Sequence, residues 1–147
     1  MKRTAYTMIA ILVLTGSMAV AAQAQNSGPR HLVANIPFQF YAGDATLPAG
    51  EYTITQVNPA SDRTVVQFRT KDGSRTAMLQ MGSVIGKTAD QTSLVFHRYG
   101  DRYFLAQAWI QGDSEGLSSP RSRSERAAQK EMAARNLAMT TVALGIR

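Results

Sequence analysis

Cysteine is absent from the 147-residue chain. That excludes disulfide staples, thiolate zinc ligands and the lipidated cysteine by which a lipoprotein is tethered. Histidine is scarce, with His31 and His97 the only two, and the carboxylates are scattered singly. No cluster therefore has the ligand spacing of a zinc or calcium site, and neither a metal nor a cofactor is expected. The glycines fall in turns, and none opens the strand-to-helix loop that cradles a phosphate. His97-Arg98-Tyr99 lacks the aspartate directly after arginine that a kinase catalytic loop requires. No catalytic residue is assigned, and the chain is expected not to be an enzyme. Without staples it must hold its shape by its core, which a mature chain of this size can bury.

What is present begins with an address. Lys2 and Arg3 precede an apolar run from Met8 to Val20, and Ala22-Gln23-Ala24 offers a small-x-small cleavage site before Gln25. The run is shorter than the roughly 20 residues a spanning helix needs. Residues 1–24 are thus expected to be a removed signal peptide, leaving an exported protein, periplasmic or extracellular, with no membrane span. Between Gln25 and Gly116 the basic and acidic residues balance. From Leu117 onward Arg121, Arg123, Arg126, Lys130, Arg135 and Arg147 stand against Glu125 and Glu131 alone. The expected organisation is a β domain over 25–116 and a basic helix and tail over 117–147 packed on it.

The β reading rests on hairpins. Leu94 to Ile110 reads as two strands joined at Gly100-Asp101, where glycine suits the first central position of a type II′ turn. That turn sets Tyr99 opposite Arg102, Arg98 opposite Tyr103, His97 opposite Phe104, Phe96 opposite Leu105 and Val95 opposite Ala106. Both faces of the ribbon are then partly apolar, so it is expected to be a central piece packed on two sides. Arg63 to Met81 reads as a second hairpin around Asp72-Gly73 in a type I′ turn, with Val66, Phe68, Ala77 and Leu79 on one face. A strand over His31 to Tyr41 carries Pro37 and either belongs at an edge or begins near that proline. Leu47-Pro48-Ala49-Gly50 forms a turn into a strand over Tyr52 to Val57, which Asn58 to Asp62 breaks. Gly82 to Thr92 and Gln111 to Ser119 read as loops, the first with a strand extension at Val84-Ile85. A helix is expected from Ser122 to Leu137, opened by the capping-box pair Ser122 and Glu125, with a thin apolar face of Ala128, Met132, Ala133 and Leu137. Thr140 to Ile146 is either a last strand or a loose end. The predicted fold is mainly β, a small antiparallel sandwich or flattened barrel of six to eight strands, with one C-terminal α-helix.

The stretches NIPFQF, LPAGEYT and LVFHRYGDRYFL, the glycine loop after Trp109 and the SRSER helix start together resemble a group of small exported proteins of acidobacterial-type soil bacteria. The resemblance covers nearly all of the mature chain. It implies a β-rich exported domain with a C-terminal helix, and it carries over no catalytic residue.

Two groups of residues are candidates for function. His97, Tyr99 and Arg102 could line a cleft in which histidine acts as a general base, with Asp101 close in sequence. The plainer reading is a packed or rim histidine, with Asp101 bonding its own turn. Arg98 with Tyr103 and Arg102 with Tyr99 suit cation-π contacts or a stacking platform for sugars, beside the plainer role of cross-strand pairs that stabilise the sheet. The second group is Arg121, Arg123, Arg126 and Lys130. Steps of three and four residues set 123, 126 and 130 near one helix face, toward an anionic envelope component or an acidic partner protein. Export makes nucleic acid an unexpected partner. The plainer reading is a solvated face partly neutralised by Glu125 and Glu131. The expected function is a non-enzymatic exported binding or structural module. The alternatives are a small envelope enzyme at the His97 cleft and an oligomeric or filament subunit pairing through an edge strand.

Overall fold

The computed structural model describes residues 31–58 and 63–146, so the expected signal peptide and most of the break at 58–62 lie outside the described residues. In chain order the elements are β1 (His31–Ile36), β2 (Phe40–Ala42), β3 (Ala45–Leu47), β4 (Gly50–Gln56), β5 (Arg63–Thr70), β6 (Thr76–Ile85), β7 (Ser93–Tyr99), β8 (Arg102–Trp109), β9 (Glu115–Ser118), α1 (Arg123–Ala134) and β10 (Thr140–Gly145). The fold is mainly β with one C-terminal helix, as expected, but six to eight strands is corrected to ten in one sheet.

Each additional strand has a local cause. Pro37 has no amide to continue the ladder, so β1 stops before it. The chain re-enters the sheet at β2, now parallel to β8 through Phe40 opposite Tyr103. Gly43 at φ +66° turns β2 into the three-residue β3. β9 lies inside the stretch read as a glycine loop and bridges β6 to β8. The open end resolves as β10, which pairs antiparallel with β7 over its whole length.

The main path of the sheet runs β1-β4-β5-β6-β9-β8-β7-β10, with β2 and β3 branching from β8. Strand β8 supports this branching because one of its edges is shared, taking β2 at Tyr103 and Phe104 and β9 at Gln107 and Ala108. The single strand expected over His31 to Tyr41 is corrected to two, β1 at an edge of the sheet and β2 between β3 and β8, with Pro37 between them. The two end strands, β1 and β10, approach each other across an open cleft of about 320 Å³ lined by Val33, Asn35, Glu51, Gly145 and Ile146.

The aromatic hairpin keeps the expected register from the Gly100 turn back to Phe96 opposite Leu105. Beyond that a bulge corrects it: Val95 faces Gln107, not Ala106. The second hairpin also keeps its register, with Phe68 opposite Ala77 and Val66 opposite Leu79. Its turn is not type I′, because Gly73 has φ +72° and Asp72 does not share the positive φ. Asp72 instead accepts hydrogen bonds from the Ser74 amide at 3.0 Å and the Ser74 hydroxyl at 2.8 Å.

The core collects on the inner face of this sheet around Phe40, which meets Tyr52, Phe68 and Phe96 edge-on at centroid distances of 5.4, 6.0 and 5.6 Å. Tyr52 is fully buried because its hydroxyl donates to the Pro48 carbonyl at 2.5 Å, which ties the Leu47–Gly50 turn to the core. Outside it, the ring of Trp109 rests against two glycines. A Cβ at Gly86 or at Gly116 would fall 2.6 Å from a ring carbon.

Candidate functional site

The strands β7 and β8 place a second, smaller apolar cluster on the face away from the main core. It consists of Tyr99, Phe104 and Ala128, with Tyr41 and Met132 packed against it. Alternation puts His97 and Tyr99 on this face of β7, and Arg102 and Phe104 on the same face of β8. Helix α1 covers it.

The sequence builds this cover in steps. Ser122 is the N-cap and accepts the Glu125 amide through its hydroxyl at 3.1 Å, as the capping-box spacing predicts. From there Glu125, Ala128 and Met132 follow at three- and four-residue steps and share the docked face. The helix ends at Ala134, three residues before the expected limit at Leu137. Asn136, at φ 55°, donates to the Ala133 carbonyl and Leu137 to the Met132 carbonyl, a Schellman cap. The expected apolar face is corrected with it, since Ala133 and Leu137 are exposed.

At the centre lies Glu125, only 3% exposed. One of its oxygens, Oε1, accepts from His97 Nδ1 at 2.7 Å and from the Tyr99 hydroxyl at 3.1 Å, and Arg121 Nε lies 3.8 Å away. Its position in the first helical turn also suits a negative charge, because the free amides there carry the positive end of the helix dipole. Burial first, then the charge of Glu125 and the hydrogen bond to it, raise the Tyr99 phenol above its ordinary value of 10.0, against a smaller opposing effect of Arg121. Tyr99 therefore stays a donor.

A second carboxylate reaches the same helix end from the β2–β3 turn. Asp44 accepts from the Ser124 amide at 3.2 Å and from the Ser124 hydroxyl. The hydroxyl and then the amide of Ser124 hold Asp44 below its ordinary value of 3.8, with Arg123 adding to them. Farther along, Arg102 Nη2 meets Glu131 Oε2 at 2.6 Å, and Arg135 meets the other Glu131 oxygen at 3.3 Å.

Of the second group of sequence candidates the structure brings only Arg121 to the first, and leaves Arg123, Arg126 and Lys130 apart from it. His97, Tyr99 and Arg102 meet Arg121 and the helix acids under α1 and do not line the open cleft described here, which lies between β1 and β10. Arg98 stacks on Tyr103 at 5.5 Å, as expected. The matching contact of Arg102 with Tyr99 is replaced by the Arg102–Glu131 ion pair. Asp101 stays in its turn, and the carboxylate partner of His97 is Glu125, which the sequence suggested for capping and for neutralising the basic helix face. The readable signal was its spacing, because Glu125 stands in line with Ala128 and Met132.

Against the Glu125 carboxylate, Nδ1 of His97 is the donor of their hydrogen bond. This is the orienting half of an acid-base pair. His97 is 23% exposed at its side chain, and among the described residues Nε2 has no side-chain partner. Also among the described residues, no group of three or more His, Cys, Asp or Glu could hold a metal ion. No helix there is long and apolar enough to cross a membrane.

The opposite face of α1 differs in kind. By the 3.6-residue period Arg123, Arg126 and Lys130 point away from Glu125, Ala128 and Met132, and all three are exposed. Among the described residues none of them forms a salt bridge; Arg126 donates to the Arg121 carbonyl at 3.2 Å. No family model, curated protein or solved structure matches the chain.

Proposed function

We propose that the protein is an exported, non-enzymatic binding module of the cell envelope that meets an anionic component through the outward face of α1. The observation that carries this reading is the division of charge across the helix. Glu125 and Glu131 engage His97, Tyr99 and Arg102 on the sheet, so the acids that could have neutralised the stripe are turned away from it. Arg123, Arg126 and Lys130 are left as a mainly basic face, with the Asp44 carboxylate near Arg123 at one end, and such a face raises the local concentration of anions and speeds their encounter. The leader pattern Lys2-Arg3, Met8 to Val20 and Ala22-Gln23-Ala24 supports export. In this reading the sheet curls toward a flattened barrel whose open seam is the β1–β10 cleft, and His97 serves as a latch for the helix.

The test is retention on an anionic resin across a salt gradient. An Arg123→Ala, Arg126→Ala, Lys130→Ala variant is expected to elute well before a control that loses the same charge elsewhere, Arg69→Ala, Arg75→Ala, Lys87→Ala. Equal elution of the two overturns the reading.

The edges of β1 and β10, which pair with no further strand among the described residues, favour a second reading, assembly by strand addition. Light scattering on the eluting protein decides it, and a strictly monomeric mass removes it.

A further inference from the structure

We infer that α1 and the turn that follows it form a peripheral membrane-binding surface selective for anionic phospholipid. This rests on the reading that the outward face of α1 meets an anionic component, and it names that component.

Charge alone does not choose between polysaccharide, acidic protein and bilayer. The residues after the helix do. Every residue from Ala133 to Thr141 is exposed, and the stretch includes two large apolar side chains, Leu137 at 54% and Met139 at 38% exposure. Leu137 is not a frayed end. Its amide is tied to the Met132 carbonyl at 3.0 Å, and Asn136 before it is tied to Ala133 at 3.1 Å, so the cap presents this leucine from a fixed backbone. A hydrophobic residue at that cap position usually folds back on the last helical turn. Here it stays in solvent.

A hydrated polyanion gives exposed aliphatic groups nothing to bind, and neither does a charged protein surface. A bilayer takes both kinds of group at different depths. Lysine and arginine meet the phosphates, while leucine and methionine enter the boundary between headgroups and acyl chains. Ala133 and Ala134 lie along the chain between the two kinds, small enough to let the backbone come close. Each signal alone gives only marginal, reversible attachment, and the combination gives a useful one.

The experiment is co-sedimentation of the processed protein, its N-terminus checked by mass, with vesicles of phosphatidylcholine alone or containing about one third phosphatidylglycerol. Binding is expected only to the anionic vesicles. It should fall roughly a hundredfold in the Arg123→Ala, Arg126→Ala, Lys130→Ala variant, at about fivefold for each cation. In a Leu137→Ser, Met139→Ser variant it should fall about tenfold. The same serine variant is expected to elute from the anionic resin with the unmodified protein, which separates lipid from mere charge and shows that the surface remains intact. Unchanged vesicle binding by the serine variant overturns the inference. If the unmodified protein binds the resin through α1 but sediments with neither vesicle, the membrane falls while the anionic reading stands. If resin retention is also indifferent to the helix cations, both fall.

Discussion

Across β4, β5 and β6 the sheet has one dry face and one wet face, whereas across β7 and β8 it is dry on both. On the first region Ile54, Val66, Phe68, Ala77 and Leu79 point inward, and Thr53, Arg69, Thr76 and Met78 are half-buried or exposed on the other side. On the second, Phe96 and Leu105 join the main core while Tyr99 and Phe104 join the cluster under α1. A sheet covered on both faces can hold buried polar groups between its layers. The Glu125, His97 and Tyr99 contacts occur only there.

The comparison is broken most severely by Phe96→Ala. That change empties the point where Phe38, Phe40 and Phe96 meet and is expected to cost about 3 to 5 kcal/mol, read as a lowered urea midpoint. Glu125→Ala should cost less, about 2 to 3 kcal/mol, because it leaves the buried Tyr99 hydroxyl without its acceptor. A loss under about 0.5 kcal/mol would show that α1 is held by other contacts.

Acid sharpens the contrast at the helix end. A carboxyl held below its ordinary value contributes stability that is fully present above that value and fades as the pH falls through the folded one. For Asp44 the fading begins below 3.8, so the Ser124 amide shift should titrate there by NMR, and in Asp44→Asn it should stay flat. The wet face has its own acid-sensitive carboxylate. The Thr70 hydroxyl and then the Ser74 amide and hydroxyl hold Asp72 at about 2, so its turn should resist acid to a lower pH. The smallest effect belongs to Met78→Gln on the wet face, expected within about 0.5 kcal/mol by the same urea measurement.

The same contrast explains how much was legible in the sequence. Where one face is wet, the period of two exposes itself, and Val66 with Phe68 against Ala77 with Leu79 gives the register directly. Where both faces are covered, alternation no longer separates inside from outside. The ribbon Leu94 to Ile110 announces that something covers it, but the partner of His97 lies 28 residues away on an element whose docking depends on the tertiary fold. Strands β2, β3 and β9, of three or four residues each, are too short to show any period. They form because neighbours offer them edges. The helix was readable in its cap and composition. Its end was not, because Arg, Asn and Leu at 135 to 137 have no property that forbids another turn, and the Schellman geometry is chosen by the chain beyond.

The placement of Trp109 has a consequence for observing the molecule. Its ring lies against Gly86 and Gly116, at the seam where β6, β8 and β9 converge, and on the far part of β8 from the Gly100 turn over which Met132 sits. As the sole indole in the chain, it makes intrinsic fluorescence a local gauge of that seam. Emission that holds its colour while the helical dichroism fades would mark a protein that has let go of its cover and kept its ribbon.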